Sequence, residues 1–368
     1  MLINGAHYNS VSYIPPDSEK PEAIRIIDQR FLPFQLIFRD LSTPEEVVTA
    51  IKDMLVRGAP LIGVTAAFGL VFALNVNQDK VCDGYIEETA QKILNARPTA
   101  VNTEYCIGRV LTAIKQHDNL EDQKIAALKT ALDLLEEDKI ICRQIGENGL
   151  GIIEEISQRK GKVNILTHCN AGWLACVDYG TVTSIIYKAQ QAGIDLHVWV
   201  DETRPKNQGA RLTVWELSQN GVDNTLITDN AGGHLMQKGL VDILLVGCDR
   251  VTQDGDVANK IGTYLKALAA WDNKIPFYVA LPSSTIDWQM KNGLQNTPIE
   301  NRDESEVKYV EGWCENEIKS VLITDINANV VNPGFDVTPA KYVTGLITER
   351  GVCQANREGI TSLFPEMI

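Results

Sequence analysis

Residues 244–264 read LLVGCDRVTQDGDVANKIGTY, and this stretch predicts how the chain folds. It begins in an apolar run, continues into a turn that is rich in Asp and Gly, and ends in an amphipathic segment that starts near Ala258. The pattern predicts a buried strand, a polar loop and a helix, in that order. Because open α/β sheets place ligands beyond the carboxyl ends of their strands, Asp249 is the first candidate for chemistry.

The second half of the chain repeats this alternation of strand and helix. Its short β-rich runs lie at residues 163–166, 196–200, 225–228, 241–246, 277–281 and 342–347. Helical patterns separate most of these runs, which predicts parallel βαβ units in a doubly wound sheet. The acidic connection from Glu300 to Glu306 is interpreted as an exposed loop between the last two strands.

The first half of the chain is mostly helical in pattern. Residues 1 to about 40 predict a small β cap, and Thr43-Pro-Glu-Glu46 is typical of a helix start. Helices are expected over residues 44–56, 61–74, 85–95, 105–116 and 122–145. A segment of glycines and polar residues at 149–162 marks the expected boundary between a mostly helical domain, residues 1–150, and an α/β domain, residues 151–368.

The composition excludes several classes of partner. A net charge of -14 and a pI near 4.9 argue against nucleic acid and against acidic membrane surfaces, which attract clustered Lys and Arg. The longest apolar run, residues 61–74, is shorter than the roughly 20 residues of a membrane helix. Residues 1–10 lack the pattern of a secretory signal. Eight cysteines without CxxC spacing disfavour a zinc site and predict reduced thiols in a cytoplasmic protein.

Reactive side chains follow several of the predicted strands. Cys169, Gln208 and Asp249 come after three different strands, and parallel strands end at one edge of a sheet, so these residues are expected to converge. A thiol and a carboxyl group there can serve as a base and an acid. Each also has a structural interpretation: Cys169 is then an inert buried thiol, and Asp249 forms an ion pair with Arg250. His168 is equally compatible with a structural role.

Three segments carry cations beside backbone groups that suit anions. They contain Arg57 with Gly58 and Ala59, Arg97, and Asn259 with Lys260. The first and third segments are expected at helix starts, where the helix dipole and free amides favour phosphate. The alternative for each cation is an ordinary surface charge. Because the chain has no GxGxxG or Walker A pattern, the segments indicate a phosphorylated metabolite rather than a dinucleotide or ATP.

Longer motifs occur in order along the chain. They are Arg57-Gly-Ala-Pro-Leu-Ile-Gly63, Arg97-Pro-Thr-Ala-Val-Asn102, Thr167-His-Cys-Asn-Ala-Gly172, Glu202-Thr-Arg-Pro-Lys-Asn-Gln-Gly-Ala-Arg211, Gly247-Cys-Asp-Arg250 with Gly255-Asp-Val-Ala-Asn-Lys-Ile-Gly262, and Asn332-Pro-Gly-Phe-Asp-Val-Thr-Pro339. With them the chain resembles the methylthioribose-1-phosphate isomerases, whose superfamily includes the regulatory subunits of translation initiation factor 2B. The resemblance extends from about Ile26 to Gly351.

The resemblance implies an aldose-to-ketose isomerisation of 5-methylthioribose 1-phosphate in methionine salvage, without a metal or an organic cofactor. It implies that Cys169 and Asp249 are the catalytic pair. The substrate-binding residues that it implies are Arg57, Gly58, Ala59, Arg97, Gln208, Asn259 and Lys260. It also implies a Rossmann-like C-terminal domain after the helical domain. The protein is then a homodimer, and its ligand is a small phosphorylated sugar.

The reaction requires an acid and a hydrogen transfer. The phosphate ester blocks the anomeric oxygen, so an acid must protonate the ring oxygen before the sugar opens. Asp249 fits this role if an apolar pocket raises its pKa. Hydrogen then moves from C2 to C1, either as a proton that Cys169 removes or as a hydride while Cys169 polarises the sugar.

The chain departs from the family pattern in a few positions. Cys248 stands where the family usually has Ala, Leu61 replaces a common Ala, and the continuation after Asn102 is more polar. These changes leave the reaction type intact but leave the group at C5 open, with 5-deoxyribose 1-phosphate and ribose 1,5-bisphosphate as alternatives. A non-catalytic regulatory subunit of a nucleotide-exchange complex is the alternative from another class, although such a subunit needs neither Cys169 nor Asp249.

Overall fold

A computed structural model describes residues 1–76, 84–97 and 101–367. Cys82 and residues 98–100 of the motif that begins at Arg97 lie outside these residues. The helices are α1 (Pro44–Lys52), α2 (Ala59–Leu74), α3 (Tyr85–Ala96), α4 (Val101–Ile114), α5 (Leu120–Lys160), α6 (Val182–Gln191), α7 (Val214–Gln219), α8 (Ala231–Gln237), α9 (Thr263–Asp272), α10 (Gly293–Asn296), α11 (Ser305–Lys308) and α12 (Arg357–Leu363).

The strands contribute to several sheets. They are β1 (Leu2–Ile3), β2 (Ala6–His7), β3 (Val11–Ile14), β4 (Ala23–Ile27), β5 (Phe38–Leu41), β6 (Val163–Thr167), β7 (Leu196–Asp201), β8 (Asn224–Ile227), β9 (Ile243–Val246), β10 (Arg250–Thr252), β11 (Val257–Lys260), β12 (Phe277–Ala280), β13 (Ile286–Asp287), β14 (Tyr309–Cys314), β15 (Glu317–Leu322), β16 (Phe335–Thr338), β17 (Gly345–Thr348) and β18 (Gly351–Cys353). Strands β3, β4 and β5 form the predicted β cap as an antiparallel sheet.

The largest sheet of the described residues has seven strands in the order β18-β17-β12-β9-β6-β7-β8. All pairs are parallel except the one between β17 and β18 at the edge. Read from β8, the parallel strands come third, second, first, fourth, fifth and sixth along the chain, which is the order of doubly wound dinucleotide-binding sheets. Every β-rich run predicted after residue 162 contributes to this sheet. The predicted α/β fold class, helical first and Rossmann-like second, is therefore confirmed.

Helices cover the sheet and build the first half of the chain. Helix α1 begins with the predicted capping box, in which Thr43 and Glu46 satisfy each other's backbone N–H groups. Helix α2 is buried along its whole length except at Pro60, because the other N-terminal helices and the β cap surround it. No helix of the described residues combines the length and the apolar character that crossing a bilayer requires.

Helix α5 is longer than the sequence pattern predicts. The expected helix ends near Ile145, with glycines loosening the chain after it, but α5 continues to Lys160. Gly149 lies inside the helix against Ile185 of α6, where an added Cβ would come within 2.6 Å of the Ile185 side chain. The glycine therefore permits close helix packing and does not end the helix. The division of the chain at residue 150 stays a prediction.

The stretch after β9 also differs from the prediction. The helix expected from Ala258 begins only at Thr263, and residues 257–260 form β11 instead. Strand β11 pairs antiparallel with β10 and with β16, which lies far downstream. Gly262, whose φ of +102° is accessible to glycine, lies between the end of this strand and the start of α9. Asn259 and Lys260 are therefore strand residues and not the first residues of a helix.

The connection from Glu300 to Glu306 was expected to be an exposed loop, and this is only partly correct. Asn301 and Asp303 are exposed, whereas Arg302 and Glu306 are half-buried and bind each other. The segment leads into α11 and into the antiparallel hairpin of β14 and β15. Its arginine lies at the wall of the cleft described next.

Candidate active site

The nine predicted site residues line one cleft at the carboxyl edge of the large sheet. They are Arg57, Gly58, Ala59, Arg97, Cys169, Gln208, Asp249, Asn259 and Lys260. The cleft lies beyond β6 and β9, which are neighbours in the sheet although other strands separate them along the chain. At this point the strand order reverses, and doubly wound sheets bind their ligands in the crevice that results. The structure brings these residues together, and their individual roles stay predictions.

Cys169 is held in an unusual backbone conformation. It follows β6 and has a φ of +66°, which is uncommon for a residue with a Cβ and often marks a functional position. Its backbone N–H donates to Thr203 Oγ1 at 2.8 Å, and its carbonyl accepts from Thr213 Oγ1 at 2.7 Å. These bonds fix the backbone on both sides of the side chain. The thiol is therefore presented in one direction, toward Gln208.

The thiol of Cys169 is in a buried but cationic environment. Its Sγ donates a hydrogen bond to Gln208 Oε1 at 3.3 Å. Burial raises the pKa of this thiol, while the charges of Arg57 and Lys260 oppose that increase. The net increase keeps Cys169 protonated at neutral pH, so the resting site contains a thiol and not a thiolate.

Gln208 lies at the start of a π-helical turn, residues 209–213, which leads into α7. Such turns occur often at functional sites because they move a side chain out of the regular helical register. Gly209 in this turn packs against the chain end of β7, where a Cβ would meet the Asp201 carbonyl oxygen. The close approach brings the neighbouring Gln208 side chain to Cys169.

Asp249 follows β9 and shares its surroundings with three cations. Its backbone N–H donates to the Ala258 carbonyl at 3.0 Å, which ties the residue to β11. Burial raises the pKa of the Asp249 carboxyl, and Lys260, Arg97 and Arg57 oppose the increase. A carboxyl group that binds its proton more tightly than usual can act as a general acid.

Arg57 and Gly58 approach the cleft from the helical half of the chain. The Arg57 guanidinium donates to Gln29 Oε1 at 3.2 Å and to the Asn170 carbonyl at 3.0 Å. Its Nη2 atom is buried and has no hydrogen-bond partner among the described residues. Gly58 precedes α2 with a φ of +92°, and a Cβ there would come within 2.5 Å of Ala175. Only glycine lets the start of this helix, with its free amides, reach the cleft.

Arg97 supplies a second buried guanidinium. It follows α3, and its Nη2 lies 3.8 Å from Glu300 Oε2, too far for a hydrogen bond. Its Nε and Nη1 atoms are buried without a hydrogen-bond partner among the described residues. Burial lowers the pKa of Arg97, although an arginine remains charged at neutral pH. Unsatisfied buried donors are costly, so these atoms are suited to an anionic ligand.

Lys260 supplies the third cation. Its ammonium lies 4.8 Å from the ring centre of Phe335, the residue opposite it on β16. Burial lowers the pKa of Lys260, while Cys169 and Asp249 oppose the decrease. The neighbouring Asn259 is buried, and its amide donates to Thr263 Oγ1 at 3.0 Å. The strand thus holds an ammonium group beside the thiol and the carboxyl group.

Several residues of the cleft were not identified from the sequence. They are Met54, Asn170, Cys176, Lys206, Arg302 and Phe335. Arg302 donates to both Glu300 and Glu306 and so pairs with these carboxylates beside Arg97. The sequence did contain a signal for Arg302, because it is a single arginine inside an acidic segment. Such an arginine indicates ion pairs with the neighbouring carboxylates and not a fully exposed loop. Lys206 offered a similar signal, because it lies two residues before Gln208.

The cleft can hold a small phosphorylated molecule and perform acid chemistry on it. Buried guanidinium and ammonium groups bind phosphate, and they increase the local electrostatic attraction despite the overall negative charge. A protonated carboxyl group and a thiol lie among these cations. This combination matches the chemistry that the sequence motifs predict.

A family model confirms the relationship that the motifs indicate. The model for the initiation factor 2 subunit family matches residues 55–355, which is most of the chain. The chain belongs to this family. The match includes every predicted site residue, and it extends through both the helical half and the large sheet.

Within the initiation factor 2 subunit family, the chain is similar to named enzymes. It is 56% identical over 369 residues to a methylthioribose-1-phosphate isomerase of Desulfatibacillum aliphaticivorans, covering 100% of this chain and 99% of that protein. A methylthioribose-1-phosphate isomerase of Desulfosudis oleivorans is 55% identical, covering 95% of this chain and 96% of that protein. The resemblance to these isomerases is therefore confirmed.

A solved structure of the family has the same architecture. The 5-methylthioribose 1-phosphate isomerase from Pyrococcus horikoshii aligns with a TM-score of 0.83 and 38% identity, covering 98% of this chain and 96% of that one. The family also includes proteins with names from translation, so the fold alone does not assign a reaction.

Proposed function

We propose that this protein is an aldose-ketose isomerase that converts 5-methylthioribose 1-phosphate to 5-methylthioribulose 1-phosphate. The observation that carries the proposal is the cluster of buried Arg57 and half-buried Arg97 and Lys260 around Asp249 and Cys169. The arginine donors that have no partner within the described part of the chain suit the phosphate, and the acid and the thiol suit the isomerisation. The high identity of the chain to named isomerases supports the same reaction.

We assign ring opening to Asp249. The phosphate at C1 prevents simple hemiacetal opening, so the ring oxygen must take a proton before its bond to C1 breaks. The Asp249 carboxyl is suited to donate that proton because burial raises its pKa. Loss of the ring bond leaves C1 electron-poor and stabilised by the oxygen of the phosphate ester.

Hydrogen then moves from C2 to C1, and we propose that it moves as a hydride. The C2–H bond electrons form the new C1–H bond, the C2 hydroxyl loses its proton, and C2 becomes the ketone. The hydroxyl proton restores the acid, so the product has the same atoms as the substrate. Cys169 is protonated at rest and donates to Gln208, which makes it a poor base but a suitable polar contact for the sugar.

The group at C5 is proposed to face a second cavity that adjoins the cleft. Both spaces are bordered by Met54, Arg57 and Gln208, and the second one has a volume of about 450 Å³. Phe31 and Leu212 also line it. These apolar side chains suit a methylthio group, whereas Arg30, Lys52 and Arg211, which line the same cavity, suit a second phosphate, so the comparison of substrates below tests the C5 assignment.

A homodimer and a cytoplasmic location complete the proposal. The cysteines of the described residues are all free thiols, as is usual in a reducing compartment. Size-exclusion chromatography with light scattering tests the dimer, which would elute at about twice the chain mass of 40.7 kDa.

Turnover of the purified protein tests the reaction. We expect it to form the ketose phosphate from 5-methylthioribose 1-phosphate. The values of kcat/KM for 5-deoxyribose 1-phosphate and for ribose 1,5-bisphosphate, each measured separately, provide the comparison. The deoxy sugar should react about 10- to 200-fold less efficiently, because it lacks one small apolar group. Preference for the bisphosphate would contradict the C5 assignment. Absence of turnover and of phosphosugar binding would favour a non-catalytic subunit.

A labelled substrate separates the two routes of hydrogen transfer. Substrate with deuterium at C2 should yield a product that keeps the deuterium at C1, if the hydrogen moves as a hydride. Loss of the label to solvent water would show that a base removes a proton, and the hydride route would be wrong. Mass spectrometry of the product provides the measurement.

A further inference from the structure

His168 connects the two chain segments that carry Cys169 and Lys260. It is buried between the end of β6 and the cleft, directly before Cys169. One ring nitrogen, Nδ1, lies 2.8 Å from Asp201 Oδ2, and the other, Nε2, lies 2.9 Å from the Ile261 carbonyl oxygen. Ile261 directly follows Lys260, so this single ring links both sides of the candidate site.

The two partners require the ring to donate twice. A carbonyl oxygen only accepts hydrogen bonds, so Nε2 carries a hydrogen. Asp201 Oδ2 also lies 3.2 Å from the Lys266 ammonium, which favours an ionised carboxylate there. An ionised carboxylate accepts from Nδ1, which therefore also carries a hydrogen. His168 thus has an N–H group on each ring nitrogen.

The charges around the ring agree with this arrangement. Asp201 and Asp229 face it at 2.8 Å and 3.9 Å, and Asp336 influences it from β16. Lys266 is the buried cation that contacts the same carboxylate from α9. Carboxyl groups of three elements and one lysine therefore surround the ring, and one of these carboxyl groups accepts from a ring N–H group.

We propose that His168 is a positioning residue for the isomerisation, holding Cys169 and Lys260 at a fixed separation through its two N–H groups. It does not touch the reacting carbons in this assignment. The inference rests on the proposed function, since it assigns a role within that reaction. A shift of about 1 Å in reacting groups can lower a rate about 100-fold, so a fixed separation has a measurable effect.

Gly262 provides an independent observation. A Cβ at this position would lie 3.1 Å from both Cε1 and Nε2 of His168, and the residue has a φ of +102°. The backbone therefore approaches the imidazole so closely that a side chain at this position would press on the ring. This contact keeps the ring aligned with the Ile261 carbonyl, which lies one residue earlier.

Two substitutions separate the two hydrogen bonds. An Asn amide reaches approximately the position of Nδ1, and a Gln amide that of Nε2. H168N should keep the bond to Asp201 and lose the one to Ile261, and H168Q the reverse. Because a fixed separation needs both bonds, each variant should lower kcat about 10- to 100-fold and change KM by less than about threefold. H197N is the matched control, because His197 binds Asp223 near the opposite end of β7.

The isotope effect distinguishes positioning from simple loss of folded protein. With substrate deuterated at C2, the kinetic isotope effect on kcat should be larger for both variants, since the hydrogen transfer becomes slower relative to other steps. A smaller fraction of folded enzyme would leave that effect unchanged. The inference is wrong if both variants keep kcat within about twofold of the unmodified protein, or if the isotope effect does not change. Inactivity of the unmodified protein would instead contradict the proposed function.

NMR of the unmodified protein tests the two N–H groups of His168 without an activity assay. In ¹⁵N-histidine NMR spectra, with the His168 signals identified through H168N, both ring nitrogens should carry a hydrogen, as their two acceptors require. If neither histidine variant folds, G262A supplies the second substitution, because its Cβ would displace the ring. We expect kcat to fall in G262A also. A ring with hydrogen on Nε2 alone would overturn the two-donor arrangement.

Discussion

The thiol of Cys169 donates a hydrogen bond to Gln208 Oε1 across 3.3 Å. The bond joins the end of β6 to the π-helical turn before α7, two elements that are about 40 residues apart in the chain. It holds the thiol in the form that burial favours, and it directs Sγ into a cleft lined by cations.

Removing either member of the proposed catalytic pair should nearly abolish turnover. We expect Cys169→Ala and Asp249→Asn each to lower kcat about 100- to 10,000-fold, the usual range for a positioned acid or polar catalytic group. Steady-state kinetics measure the loss. Cys314→Ala, on an exposed hairpin residue, is the control and should retain normal turnover. Near-normal activity of either site variant would exclude the role assigned to that residue.

Arg97 should affect substrate binding more than turnover. Replacing it with Met removes buried donors that have no protein partner among the described residues, so KM should increase roughly 10- to 100-fold. Inhibition by inorganic phosphate should weaken in parallel. Arg159→Met changes an arginine whose side chain is 67% exposed, and it should leave KM unchanged. An unchanged KM for Arg97→Met would indicate that the phosphate lies elsewhere in the cleft.

The activity should decline on the alkaline side because Asp249 acts in its protonated form. Burial raises the pKa of this carboxyl, so the protonated fraction extends to higher pH than for an exposed Asp and is lost as the pH rises through the folded-state pKa. The pH profile of kcat/KM measures this decline. A profile in which activity increases as Asp249 ionises would contradict the assignment.

Glu216 should make the free energy of unfolding depend on pH. Burial raises its pKa to about 7, with hydrogen bonds from Leu174 and Asn170 opposing the increase. The folded state therefore holds a proton that the unfolded state releases, so stability falls as the pH rises from about 4.5 to 7. Above that range the cost is constant, at about 3 kcal/mol.

Glu216→Gln removes this cost while its Oε1 can still accept the same hydrogen bonds. The variant should gain stability relative to the unmodified protein between pH 5 and pH 8, by up to about 3 kcal/mol. Urea unfolding at the two pH values gives the difference, and other titrating groups cancel in the comparison. A difference that does not change with pH would mean that Glu216 is ionised throughout.

Gly58 should be much less tolerant of a side chain than Gly84. Both have positive φ values, +92° and +88°, so Ala at either position has a backbone cost of about 1–2 kcal/mol. Among the described residues a Cβ at Gly84 meets nothing within 4 Å, whereas one at Gly58 collides with Ala175 at 2.5 Å. Gly58→Ala should therefore lose more stability and also activity. Equal losses in thermal unfolding would show that the contact relaxes freely.

Much of the site was predictable because parallel strands have a fixed polarity. The chain order of apolar runs predicts which residues follow each strand, and all such residues meet at one edge. Cys169 and Asp249 were identified in this way, before any contact was known. Arg57 was identified from its position before an expected helix, which the structure contains as α2. These inferences depend only on local pattern and chain polarity.

The remaining features of the site depend on contacts between residues that are far apart in the chain. Residues 257–260 look like a helix start, but β16 supplies a partner strand far downstream, and local periodicity carries no information about that partner. Tertiary contacts likewise bring Arg302 beside Arg97 and keep the thiol of Cys169 protonated, because burial is a property of the folded chain. The sequence by itself determined the fold class and the reactive groups. The tertiary structure decided their protonation, their separation and the ring of His168 that connects them.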